Sequence, residues 1–94
     1  MRRVKQTAVF KRDLKRNAKS SYRKFLSKNF VKIVEKLAND EPLEPGYKDH
    51  LLSGNWKEHH ECHLKPDLLL IYKKPDDKTL RLARMGSHSE LFGK

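Results

Sequence analysis

Between Ala8 and Asn39 the apolar positions recur at helical spacing in two blocks, Phe10, Leu14 and Ala18, then Leu26, Phe30, Ile33, Val34 and Leu37. Lysine and arginine fill the intervals, so the spacing predicts two amphipathic helices. Ser20 and Ser21 are placed to cap the break between them, and Asn39-Asp40-Glu41-Pro42 ends the second, because Pro42 pushes Glu41 out of helical geometry. Ahead of the helices, Arg3 to Thr7 reads as a short edge strand. Pro42 to Gly46 reads as a loop and Ser53-Gly54-Asn55 as a tight turn. Three strand-like runs follow, Trp56 to Lys65, Leu68 to Lys73 and Thr79 to Met85, with Pro75 to Lys78 turning between the last two. Leu68 to Tyr72 is apolar without alternation, as expected of a central strand buried on both faces. The order predicts a single α+β domain over residues 1–94, two N-terminal helices packed on one face of a small, mainly antiparallel sheet. The other face would be open to ligands.

Composition narrows the classes. The chain has 94 residues, 22 Lys plus Arg against 12 Asp plus Glu, and one cysteine, Cys62, which excludes an intramolecular disulfide and fits a reducing, cytoplasmic setting. No apolar run approaches the ~18 residues of a membrane span, and no signal-peptide core is evident. The net charge of +10 predicts a polyanionic partner, but the charge is unevenly spread. Residues 1–36 carry 13 basic and 2 acidic residues, net +11; residues 37–94 carry 9 and 10, net −1, together with all five histidines. A basic surface and a titratable cluster are thus separate in sequence. Phosphate-binding glycine motifs and internal repeats are absent.

Strand alternation places His59, Glu61 and His63 on one face and His60, Cys62 and Leu64 on the other, with Cys62 and Leu64 core-facing. Glu61 beside His63 on the open face puts a carboxylate where it favours a protonated imidazole, and Asp67 follows after Pro66. A metal site is disfavoured by the same alternation, which separates His59, His60, Cys62 and His63 between faces and leaves no paired ligand spacing. In the C-terminal stretch, Gly86 ends a strand and Ser87-His88-Ser89-Glu90 fits a capping box for a terminal helical turn, with Leu91 and Phe92 packing back on the sheet.

Six spaced elements occur in order: Tyr47-Lys48-Asp49-His50, Leu52-x-Gly54-x-Trp56-Lys57, Glu61-x-His63-x-x-Pro66-Asp67, Leu70-Ile71-Tyr72, Arg84-x-Gly86-Ser87-His88 and Leu91-Phe92. Together they resemble the YafQ family of bacterial toxins, within the RelE-like superfamily of toxin–antitoxin mRNA interferases. The helical half agrees in pattern and in Phe10-x-x-Asp13. The resemblance implies a RelE-like fold and a ribosome-dependent endoribonuclease held inactive by a cognate antitoxin, with operator DNA bound mainly through that antitoxin. Matched by position, it implies an active site of His50, His63, Asp67, Arg84 and His88, with Phe92 stacking beside it. Family members often carry an aromatic residue and an arginine where this chain has His59 and His60, and tryptophan where it has Leu68.

RNA carries its own nucleophile, the 2′-hydroxyl, so a metal-free site with no cofactor can cut it. The protein must supply a base, a charge stabiliser and an acid. Arg84 suits the phosphate, since its guanidinium is permanently charged. His88 is assigned as acid, Asp67 or His63 as base and His50 as the phosphate-orienting group, the exchange of acid and base being equally consistent. Glu61 and Phe92 would contact substrate, and Lys11, Arg12, Lys15 and Arg16 would bind RNA phosphates, docking the domain on the ribosome. The competing expectation is a non-catalytic toxin of the same superfamily or a basic binding module, neither of which needs the imidazole cluster.

Overall fold

In the computed structural model, which describes residues 1–93, the chain turns from strand into helix at Thr7. β1 is Arg3–Gln6 and α1 is Ala8–Asn17. The Thr7 hydroxyl accepts from the Phe10 amide at 2.9 Å, capping α1, and donates to the Ala83 carbonyl at 2.9 Å, pinning the junction to the last strand. A second helical path, α2, starts as Arg23–Phe25, widens to a π-turn over Leu26–Phe30 and returns to α geometry over Val31–Ala38. Its buried residues, Leu26, Phe30, Ile33, Val34, Leu37 and Ala38, are those the helical spacing marks out. Phe30 stacks against Phe10 of α1 with ring centroids 6.1 Å apart. The break falls where the serines are, but no side chain caps α2; Ser20 instead closes the turn, donating to the Asn17 carbonyl and accepting from the Tyr22 amide. Asp40, in the left-handed region at φ 58°, stops α2 two residues before Pro42, with the Glu41 amide donating back to the Lys36 carbonyl at 2.9 Å.

The sheet contains β2, His50–Leu51, β3, His60–Lys65, β4, Leu68–Asp76, and β5, Thr79–Gly86, and a short α3, His88–Phe92, ends the described chain. The strand order is β1-β5-β4-β3-β2; β1 runs parallel to β5 and every other pair is antiparallel. The N-terminal segment is therefore an edge strand, as expected, and the sheet is α+β and mostly antiparallel. Two boundaries differ from expectation. Residues Gly54–Trp56 form a 3-10 turn rather than the start of β3, because Gly54 and Glu58 both take left-handed backbone conformations that an extended strand cannot include. The β4–β5 hairpin also turns later, at Asp77-Lys78, since pairing runs on to Asp76 and Thr79. His50, expected in a loop, pairs with Glu61 in the two-residue β2.

The main core lies between sheet and helices, where Cys62, Leu64, Leu68, Leu70, Tyr72, Leu80, Leu82 and Met85 meet Phe10 and the α2 stripe. β4 is buried on both faces, because Leu69 and Ile71 join Ala83 and Leu91 in a second apolar cluster with Leu52 and Trp56 against it. The face opposite the helices is consequently half covered, and the open part is the strip over β3. Burial pushes the Cys62 thiol far above its usual value.

Two of the three buried positions on α1 are polar, Asp13 and Asn17. β1 stops at Gln6 opposite Leu82, leaving the last residues of β5 without a strand partner on that side. Asp13, 1% exposed, fills the role of that missing strand: its carboxylate accepts the Met85 amide at 3.0 Å and both Nε and Nη2 of Arg84, at 2.7 and 3.1 Å. Arg16 adds a further contact at 3.0 Å. Burial raises the affinity of this carboxyl for a proton, but the bonds from Arg84, Met85 and Arg16 outweigh it and hold the group below its usual range. A folded-state value below the unfolded one contributes stability above about pH 4 that is lost as pH falls. We therefore expect Asp13→Ala to lose about 3 kcal/mol in urea unfolding at pH 7, with the gap to wild type narrowing below pH ~4. The Cys62 thiol is expected to react with a disulfide reagent at pH 8 only after unfolding, with no fast phase in the native protein.

Candidate active site

A bulge decides which side chains share the open face. In β5, Ile71 of β4 pairs with Arg84 while Tyr72 pairs with Leu82, so Ala83 is an extra residue. Unbroken alternation from Leu80 and Leu82 would turn Arg84 toward the helices. The extra residue sets it opposite Ile71 instead, on the same face as Glu61 and His63, which pair with Ile71 and Leu69. The C-terminal end then folds over this face. Ser87 caps α3 by accepting the Glu90 amide at 3.1 Å, and Glu90 returns a carboxylate oxygen to the Ser87 amide at 2.9 Å, the capping box expected from the sequence. Gly86 leaves room for the capping carboxylate, since a Cβ there would lie 2.7 Å from Glu90 Oε1 and push that oxygen out of its cap position.

The result is a row of imidazoles and carboxylates drawn from four parts of the chain. Glu61, 5% exposed, accepts from His63 Nε2 at 3.0 Å and lies 3.7 Å from His50 Nε2. The His50 and His63 rings are 6.2 Å apart, and His63 is 5.7 Å from His88, edge to face. Asp67, in the β3–β4 turn, accepts both the His88 amide at 3.0 Å and His88 Nδ1 at 2.7 Å. Those two bonds hold the Asp67 carboxyl below its usual value, keeping it ionised beside the ring. His50 Nδ1 donates to the Lys48 carbonyl at 2.7 Å, which directs Nε2 into the row.

Arg84 is held by Asp13 as described, and the Asp13 hydrogen bond keeps its guanidinium firmly charged. Arg16 spans Asp13 and Glu90 at 3.0 Å each, so the helix carrying His88 is tied to the same carboxylate that positions Arg84. Phe92 ends α3 partly exposed, while its neighbour Leu91 is buried in the second cluster. Lys11, Arg12 and Lys15 are exposed on α1; Arg16 is engaged in the ion pairs just named. Asp13 was not singled out from sequence as a site residue. Its signal was present: it lies three residues after Phe10, in phase with the buried stripe, and is one of two acids in the first 36 residues.

The donor atoms of Glu61, His63 and His88 lie within 4.8 Å of one another, a set able to hold a metal ion. The spacing argument against a metal holds for His60 and Cys62, which lie on the helix side, but α3 brings His88 from outside β3 to complete another donor set. His59 lies outside the row, its ring edge-on to Trp56 at 5.2 Å.

A family model described as the YafQ bacterial toxin of type II toxin–antitoxin systems matches residues 2–93. The chain belongs to the YafQ toxin family. In Escherichia coli K12 the mRNA interferase toxin YafQ is 51% identical over 55 residues, a stretch covering 58% of this chain and 59% of that protein. A putative toxin YafQ of Haemophilus influenzae is 33% identical over 91 residues, covering 94% of this chain and 89% of the other. Among solved structures, YafQ in the E. coli DinJ–YafQ complex superposes with a TM-score of 0.82 at 35% identity, covering 99% of this chain and all of the other. A metal-bound toxin from Helicobacter pylori gives 0.79 at 44% identity, covering 98% of this chain and all of the other. The mostly antiparallel sheet with its N-terminal helices is thus the RelE-like arrangement of this family.

α3 has five residues and owes its position to its cap. Ser87→Ala is expected to lower its local stability by about 1 kcal/mol, read as ~5-fold faster amide exchange at Glu90 and Leu91.

Proposed function

We propose that the chain is a ribosome-dependent endoribonuclease, the toxin of a type II toxin–antitoxin pair, which cuts mRNA by acid–base catalysis at the His50–Glu61–His63–His88–Asp67 row. The observation that carries this reading is that each of three imidazoles has one ring nitrogen committed to an oxygen acceptor, leaving the other for chemistry. His63, set by Glu61, takes the proton of the 2′-hydroxyl. The 2′-oxygen attacks phosphorus, the bond to the 5′-oxygen breaks, and His88, backed by ionised Asp67, protonates that leaving oxygen. The products are a 2′,3′-cyclic phosphate and a 5′-hydroxyl. Arg84 faces the charge building on the phosphate, His50 helps to orient it, and Phe92 offers an aromatic surface for a base. Asp67 acts through His88 in this scheme, since both of its contacts are already to that residue.

The exposed Lys11, Arg12 and Lys15 belong to the half with net charge +11 and supply the attachment to ribosomal RNA. No described helix is long and apolar enough to cross a membrane, and the working compartment is read as the cytoplasm. The partner is a cognate antitoxin with acidic and apolar groups for the same basic surface, the pair contacting operator DNA mainly through the antitoxin. The E. coli YafQ structure in complex with DinJ supports this partnership.

Mapping mRNA ends on programmed ribosomes tests the reading. Wild type should leave 2′,3′-cyclic phosphates or their 3′-phosphate hydrolysis products, and should do so in EDTA; 5′-phosphate ends or a requirement for added metal would refute the scheme. His88→Ala should lower the cleavage rate by at least ~100-fold while ribosome binding is retained. Charge reversal at Lys11, Arg12 and Lys15 should do the opposite, weakening binding and flattening its salt dependence; equal loss of binding in both sets would show that docking and cutting are not divided between the two halves.

A further inference from the structure

His50 is the least supported member of the row. It sits on a strand of two residues at the sheet edge, with its side chain half exposed, and follows Lys48, whose backbone is left-handed at φ 49° and ψ 44°. So short an edge pairing frays easily on its own. On the other face of the sheet, however, the residue before it is firmly bound. The Tyr72 hydroxyl, from the buried centre of β4, donates to Asp49 with both carboxylate oxygens at 2.8 Å. His60 lies flat against the Tyr72 ring, centroids 5.3 Å apart and planes 18° apart, with Nδ1 3.6 Å from Asp49 Oδ1. That nitrogen is buried and has no hydrogen-bond partner among the described residues.

From this we infer that Asp49, Tyr72 and His60 form a latch whose work is to position His50, with Asp49 and Tyr72 as positioning residues for the proposed cleavage. The proposal rests on the endoribonuclease reading for its consequence, but the latch itself is a matter of geometry. Asp49 joins the left-handed Lys48 to His50. Fixing its carboxylate to the rigid central strand fixes the Lys48 carbonyl, and that carbonyl takes the His50 Nδ1 proton. A carbonyl only accepts, so the neutral His50 ring is held as the Nδ1–H tautomer with Nε2 turned toward Glu61. His60 flanks the Tyr72–Asp49 bond on one side, while the Asp49 side chain stays 31% exposed; the bond is charge-assisted, which strengthens it. Burial and the adjacent Asp49 hold the Tyr72 phenol far above its usual value, so it remains a donor throughout the working range. Asp49, His60 and Tyr72 touch no reacting atom. They act through the His50 loop, where a displacement of about 1 Å can lower a rate ~100-fold.

Tyr72→Phe removes the donor and nothing else. In single-turnover cleavage on programmed ribosomes, the variant should cut about 10- to 100-fold more slowly while its ribosome affinity stays within about two-fold of wild type. In nitrogen NMR of histidine-labelled protein, His50 should shift from the Nδ1–H tautomer toward the Nε2–H form, with the His63 and His88 signals unmoved. Asp49→Ala should reproduce both effects, and serves as the comparison should Tyr72→Phe fail to fold; Asp49→Asn, which keeps an acceptor for the phenol, should retain most of the wild-type tautomer. An unchanged His50 tautomer in folded Tyr72→Phe or Asp49→Ala, or a wild-type cutting rate, would overturn the latch. If the wild-type chain fails to cut mRNA, the endoribonuclease reading falls instead, and the tautomer comparison still decides whether the latch exists.

Discussion

The arrangement of this domain depends on one buried carboxylate. β5 outruns β1 by several residues, and an unpaired backbone edge next to a packed helix has to be satisfied somehow. Asp13 does this from the side of α1, accepting the Met85 amide and the Arg84 guanidinium at once. The same carboxylate reaches Arg16, and Arg16 reaches Glu90 in the cap of α3. A single anion thus joins the first helix, the end of the last strand and the helix that delivers His88. Removing that anion would leave the Arg84 guanidinium without its hydrogen-bonding carboxylate and the Met85 amide unpaired.

The candidate site is assembled by pairing each imidazole with an acceptor that is itself held. Glu61 is buried in the middle of β3, Asp67 is fixed by the turn and by the backbone of His88, and the Lys48 carbonyl is fixed by the left-handed turn behind it. Each pairing settles which ring nitrogen faces the open strip. The carboxylates offset part of the positive charge that Arg84 brings to the open face.

His60 shows how a residue with no evident role in the sequence acquires one in the fold. Alternation correctly put it on the helix side of β3, away from the open face, but supplied no neighbour for it. Its neighbours are Tyr72, across the strand pair, and Asp49, which arrives through a turn. His59, one residue earlier, packs on Trp56 because the 3-10 turn places the indole there. Neither contact could be read from spacing, since both depend on loops whose direction is set by left-handed residues at Lys48, Gly54 and Glu58.

The chain's local patterns determined the two amphipathic helices, the buried run of β4, the split between basic and histidine-rich halves and the capping box at Ser87, because each is an interaction among residues a few positions apart. The spaced motif from Tyr47 to Phe92 also carried the resemblance to the family. Tertiary structure alone decided that Arg84 turns to the open face, that Asp13 is a buried anchor rather than a surface acid, and that His88 meets Asp67. The first rests on one extra residue in a strand, which reverses every side chain after it. The others are contacts across 71 and 21 positions of sequence, formed only when strand edge, turn and terminal helix meet in space.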